Sequence, residues 1–183
     1  MLGVIDACFV IDWANYRGRR ALKRMFKLLY VHEEVLEQIR TRRAVEFVGE
    51  LFSEGVLRIY PWSESEESEF LRLRDEVVAD PRIPSLERPD ILCLVIARSL
   101  NAPLLTENLG VHRVVQFHPR YAGLRVWTAL ELLENMVYAG VLSVGSPEEF
   151  LELVREYEQD TAHIFKRRRL EEVLERVRRW LGK

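Results

Sequence analysis

The chain has 183 residues, 48% hydrophobic and 31% charged, with a formal net charge of −2. That balance excludes a disordered polyelectrolyte and predicts one globular domain with a sizeable core. Two cysteines, Cys8 and Cys93, sit in apolar stretches with no CxxC or Cys/His spacing, which argues against a disulfide framework and a structural zinc site.

In chain order, "LGVIDACFVI" (2–11) reads as a buried strand with a polar residue near its exit, and "GRRALKRMFKLLY" (18–30) carries Leu22, Met25, Phe26 and Leu29 at helical spacing. "LLYVHE" predicts a second strand. "EEVLEQIRTRRAVEFVGELFSEG" predicts one long or two short helices stopped by Gly55. "VLRIYPW" is a third strand, and "SESEESEFLRLRDEVVAD" a helix whose acids suit its N-terminus. After the proline-rich loop "PRIPSLERP" come an apolar helix "DILCLVIARSLN", a buried strand "APLLTEN" and a short helix "LGVHRVVQF". "LRVWTALELLENMVYAGVL" runs from a last strand into a helix stopping at Gly140, and two amphipathic helices follow from Ser146-Pro147 onwards.

About five strand–helix alternations predict an α/β fold: three layers, α/β/α, around a mainly parallel sheet of four or five strands. The expected division is an α/β domain over 1–142 and a helical extension over 143–183, packed on the domain or at a dimer interface. No apolar run reaches the roughly 18–20 residues that span a bilayer. The first residues lack a basic start and a small-residue cleavage site, so a cytoplasmic location is expected. Arginine-rich, heavily charged helical faces lean towards a thermophilic source.

In a parallel sheet, ligands bind beyond the carboxyl ends of the strands. Asp6 follows the first strand there, Glu107 and Asn108 follow "PLLT", Asp90 opens the helix "DILCLVIA", and Glu33, Glu34 and Glu37 open the helix after "LYVH". Taken singly, Asp6 reads equally as a turn or capping residue, Asp90 as a helix-start carboxylate, Glu107-Asn108 as a polar turn, and the three glutamates as a solvated face. Taken together, converging carboxylates repel one another unless a cation neutralises them, and all-oxygen ligands point to Mg²⁺ or Mn²⁺. Asp12 reads as a cap or surface residue, and His32, His112, His118 and His163 as structural or surface groups. The acid-free basic run holding Arg17, Arg19, Arg20 and Lys23 reads either as a solvated helix face or as a phosphate-contacting patch.

"VIDACFVIDW", "VHEEVLEQI", "RPDILCLVIARSLNAPLLTEN" and "VWTALELLENMVYAGVL" occur in an order and spacing that resembles the PIN-domain ribonucleases. The likeness covers roughly residues 2–142 and is most specific at Asp90, Ala97, Leu104, Leu105, Thr106 and Asn108. It implies an acidic pocket that binds Mg²⁺ or Mn²⁺ and cleaves single-stranded or structured RNA. Asp6 and Asp90 match the family's first and third acidic positions. At the second, this chain has Gln38 beside Glu37, with Glu34 one turn earlier; at the fourth, Glu107 then Asn108.

The expected catalytic and metal-holding set is therefore Asp6, Asp90, Glu37 and Glu107, supported by Thr106, Asn108, Glu34 and Gln38. The expected activity is metal-dependent endoribonuclease cleavage of RNA. Two other readings stay open: a degenerate PIN-like module that binds RNA or a protein partner without cutting, and the toxin half of a toxin–antitoxin pair with a small antitoxin-like partner. The apolar faces of the tail helices also suggest a homodimer.

Overall fold

The computed structural model describes residues 1–182. It is an α/β protein built on one five-stranded, all-parallel sheet flanked by helices. The strands are β1 (Leu2–Ile5), β2 (Leu28–Val31), β3 (Leu57–Ile59), β4 (Leu104–Leu105) and β5 (Val126–Trp127), in the order β3-β2-β1-β4-β5. Val4 pairs with both Tyr30 of β2 and Leu104 of β4, so β1 lies at the centre. The chain winds outwards from β1 to β3, then returns to the other side of β1 with β4. That reversal opens a crevice at the carboxyl ends of β1 and β4, the place where open α/β sheets bind ligands.

The first strand is shorter than its apolar run suggests. Asp6 ends it, and Ala7–Asn15 is helix α1, not more strand. The Asp6 side chain accepts the Ala7 N–H at 2.7 Å and caps the new helix. Phe9, Val10, Trp13 and Ala14 are buried at i, i+1, i+4 and i+5, a helical stripe that the run of apolar residues concealed. Gly3 is required inside β1, because a Cβ there would lie 2.6 Å from the Phe26 ring.

The basic stretch folds into only one short helix, α2 (Ala21–Met25), before β2 begins. The long segment after it is two helices, α3 (Glu33–Leu36) and α4 (Arg42–Ser53), the second capped by Thr41. Gly55 takes the left-handed conformation, φ 70°, that ends this arm.

Helix α5 (Glu64–Ala79) leads through the proline loop to α6 (Arg88–Leu100), which is buried all round along its middle. Ile91 through Ala97 are 3% exposed or less, which is why this segment is apolar all round. Asn101, at φ 48°, turns the chain into β4. Helices α7 (Leu109–Phe117) and α8 (Ala129–Tyr138) flank the second half of the sheet.

The last two helices, α9 (Pro147–Thr161) and α10 (Arg167–Leu181), pack on the α/β body and share its core through Phe150, Val154, Tyr157, Val173 and Val177. Tyr157 of α9 lies against Trp13 and Tyr16 at ring separations of 5.7 and 5.3 Å. Arg176 of α10 makes a forked pair with the buried Glu134 of α8, at 2.6 and 2.7 Å. Among the described residues, no helix is long and apolar enough to cross a membrane.

Candidate functional site

A cavity of about 430 Å³ opens at the crevice between β1 and β4. Asp6, Asp90 and Glu107 line it together with Gln38, Asn108 and Cys8, and the proline loop adds Ser85 and Glu87. Each acid is placed by a local rule. Asp6 is both the residue after β1 and the cap of α1. Asp90 sits in the first turn of α6, where its Oδ2 accepts the Glu87 N–H at 2.9 Å while the Glu87 side chain accepts the Asp90 N–H. This reciprocal capping box fixes the entry of α6 beside the cavity. Capping and lining the cavity are thus one and the same placement for both aspartates.

Asp6 is held by more than its cap. Thr106 Oγ1 and Cys8 Sγ both donate to its Oδ2 at 2.8 Å, so donors from the exit of β4 and from α1 converge on one oxygen. Thr106 Oγ1 in turn accepts the Asn108 N–H at 3.0 Å. The Thr106 hydroxyl thus bonds the Asp6 carboxylate and closes a local turn at once. Burial and the negative charge of Asp6 push the Cys8 thiol far above its ordinary range, so Cys8 is a protonated donor, not a thiolate. Burial, then the charge of Asp6, also raises the Asp90 carboxyl above its ordinary value, while the Asn108 amide works the other way.

The other expected residues divide. Asn108 lines the cavity, but its Oδ1 accepts the Gly110 N–H at 2.8 Å and caps α7. Gln38 lines the cavity and donates from Nε2 to Glu87 Oε2 at 3.2 Å. Glu37 is exposed at the end of α3, and the neighbouring Gln38 takes the place on the cavity wall. Glu34 turns to Arg88, 2.9 Å from its Nε, which itself lies over the Phe70 ring.

No member of the basic set lines the cavity. Helix α1 carries the chain away from the carboxyl end of β1, and the end of the basic run is fixed at the opposite end of the sheet, where the Lys27 N–H donates to Met1 O at 2.9 Å. Arg17 forks onto Asp160 of α9, Arg19 pairs with Glu50, and Lys23 with Glu54. These ion pairs tie α1 and α2 to α4 and α9. Arg20 is exposed.

Glu107 forms a partition. Its Oε1 accepts the Ala129 N–H at 2.7 Å and so caps α8 from across the crevice. Its Oε2 lies 3.4 Å from His163 Nε2, and His163 Nδ1 lies 3.3 Å from Asp12. Burial raises the Glu107 carboxyl to about 7 against the opposing pull of the Ala129 amide and His163. On the far side of Glu107 is a second cavity of about 420 Å³. Its walls come from α7, the α8 entry, residues 163–166 that join α9 to α10, and Arg169 of α10. Ala162, at φ 58°, makes the turn that brings this segment over the site.

Three participants escaped the sequence reading. Cys8 looked like a small buried hydrophobe and is a donor to Asp6. Glu87 lay in a loop, and no Ser, Thr, Asp or Asn at the cap position announces its reciprocal capping with Asp90. Nothing in the spacing of His163 signals its pairing with Asp12 and Glu107, because that contact depends on how the tail docks.

The oxygen donors that wall the first cavity fit a hard cation. Mg²⁺ commonly keeps several waters and is held through one or two carboxylates, which Asp6 and Asp90 supply. Among the described residues, no group of three or more His, Cys, Asp or Glu side chains is placed to hold a metal ion. The fold and the acidic crevice define an α/β protein with an acidic cavity at its topological switch point. No family model matches the chain, and no curated protein matches it.

Proposed function

We propose that this protein is a metal-dependent endoribonuclease of the PIN-like kind, working at the crevice lined by Asp6 and Asp90. One observation carries the reading: two acids far apart in sequence share one cavity at the carboxyl ends of the central strands. Asp6 and Asp90 would hold Mg²⁺ or Mn²⁺, with Asn108, Gln38 and Glu107 around them. The ion, when bound, would supply an activated water and neutralise charge on the phosphodiester. Thr106 and Cys8 orient Asp6, and the Glu87 N–H orients Asp90, so both carboxylates are aimed before any ligand arrives. The N-termini of α1, α6 and α7 meet at the same crevice and favour an anionic backbone there.

The test is cleavage of labelled RNA by the purified chain with Mn²⁺ or with EDTA. Cleavage should require the ion and should vanish in Asp6→Asn and Asp90→Asn, whose circular dichroism stays that of the parent. Equal cleavage by either variant would remove the mechanism.

A second reading has its own support, in that Gln38 replaces an acid on the cavity wall and Glu107 is engaged by Ala129 and His163. On that reading the crevice binds RNA or a protein partner without cutting. Calorimetric titration with Mn²⁺ separates the two, since only the nuclease requires ion binding that Asp6→Asn abolishes.

A further inference from the structure

We propose that the second cavity, beyond Glu107, is a nucleotide subsite that holds one flanking nucleotide of a single-stranded RNA, its base against Ile164, Phe165 and Leu109 and its phosphate at Lys166 and Arg169. This rests on the reading of the Asp6–Asp90 crevice as the cleavage centre, and it extends that centre along the strand. Glu107 lines both cavities, so the two are neighbours separated by one side chain. At about 420 Å³ the second cavity is of the size of small-ligand sites, which run from about 300 to 1,000 Å³.

Its surface has two parts, and a nucleotide matches both. The first is apolar. Ile164 is 73% exposed and Leu109 60%, and these are two of the three most exposed large apolar side chains among the described residues. A lone exposed apolar residue needs no explanation, but two on the rim of one cavity, next to Phe165, form the face on which a base can lie.

The second part is cationic. Lys166 is exposed and makes no ion pair among the described residues, and Arg169, about half exposed, reaches the cavity from its pair with Glu131 at 2.7 Å. Lys166, Arg167, Arg168 and Arg169 open α10, whose N-terminus has no side-chain cap and no acid in its first turn. Arg167, Arg168 and Arg169 pair with Glu171, Glu172 and Glu131, so of these four cations at the positive end of a fifteen-residue helix Lys166 alone has no carboxylate partner among the described residues. A phosphate at that end would satisfy the free N–H groups and Lys166 together. An apolar peptide would leave Lys166 unmatched, and an inorganic anion would leave Ile164 and Leu109 in water. The tail segment that builds this wall is tied to the crevice by His163, which lies against Glu107.

The experiment is fluorescence anisotropy of a short labelled single-stranded RNA with the full chain in EDTA, so that binding is read without cleavage. Lys166→Ala and Ile164→Ser change exposed side chains and leave the fold intact by circular dichroism. Each should weaken binding about tenfold, and Lys166→Ala should reduce the slope of log K against log salt by about 0.7. Val78→Ser, on an exposed position of α5 that lines neither cavity, should leave affinity unchanged. Wild-type affinity in both cavity variants, no RNA binding by the parent chain, or displacement of the RNA by an acidic peptide would each overturn the subsite. A DNA strand of the same sequence bound equally tightly through these residues would overturn the assignment to RNA. The two readings fail separately. A parent chain that binds RNA through Lys166 and Ile164 but never cuts with Mn²⁺ loses the nuclease and keeps the subsite. One that cuts with Mn²⁺, with KM unmoved by Lys166→Ala and Ile164→Ser, keeps the nuclease and loses the subsite.

Discussion

The Thr106 hydroxyl donates to Asp6 Oδ2 at 2.8 Å, joining two strand exits that are 100 residues apart in the chain. Both groups are buried, so the bond fixes the carboxylate relative to β4 as well as to its own strand. Thr106→Val keeps the shape, removes a donor from Asp6 and removes the acceptor of the Asn108 N–H. We expect a loss of about 1–3 kcal/mol in urea denaturation, because a buried polar group left without its partner costs that much. Thr106→Ser should recover most of it, and Mn²⁺ affinity measured by calorimetry should follow the same order.

Asp6 and Asp90 wall one cavity, and burial together with the charge of Asp6 disfavours the ionised form of Asp90. Asp90→Asn keeps an oxygen for the Glu87 N–H while removing a charge. The variant should be more stable than the parent in EDTA by about 0.5–2 kcal/mol, as expected where a site holds destabilising charge for its function. Melting curves provide the check. Mn²⁺ should raise the melting temperature of the parent and leave that of Asp90→Asn unmoved.

Tyr157 is fully buried beneath the tail, packed on Trp13, Tyr16 and Phe165, yet its hydroxyl has no partner among the described residues. Tyr157→Phe retains the ring and removes the unpaired group. The expected outcome is a gain of about 1 kcal/mol in unfolding free energy. A loss of similar size would mean that the hydroxyl is bonded in solution.

Glu131 links the α8 capping box to the tail. Its Oε2 accepts from both the Thr128 amide and hydroxyl, and its Oε1 pairs with Arg169 at 2.7 Å. Burial works to raise this carboxyl, but the Thr128 donors and Arg169 together hold it below its ordinary value of 4.5. A depressed carboxyl gives its full stabilisation above the unfolded value and loses it as pH falls through the folded one. Stability should therefore decline below pH 4.5, and Glu131→Gln, which keeps the shape and loses the charge, should flatten that acid limb. Denaturation midpoints measured between neutral pH and pH 3 test this. Glu131→Ala, which also removes half of the cap, should cost about 1–2 kcal/mol at neutral pH.

Much of this architecture is legible along the chain because its signals are local. Alternating apolar periods gave five strands and their helices, and Gly55, Asn101 and Gly140 mark arm ends by the left-handed turns they adopt. The misreading of residues 7–11 as strand has a simple cause. A helix buried along one wide face and a buried strand both present consecutive apolar residues, and only the cap at Asp6 separates them. Glu37 and Gln38 differ by one position, and the short helix α3 decides which of them reaches the crevice.

Composition and spacing by themselves determined the α/β class, the parallel sheet, Asp6 at a strand exit and Asp90 at a helix start, since periodicity and capping chemistry act within a few residues. Tertiary structure alone decided that Asp6 and Asp90 share a cavity, that Cys8 serves Asp6, that Arg17, Arg19 and Lys23 are spent on ion pairs within the fold, and that His163 and Lys166 arrive beside Glu107. Those facts depend on the strand order and on where the tail docks. Both are set by burial of apolar surface between segments far apart in the chain, and no local pattern records that sum.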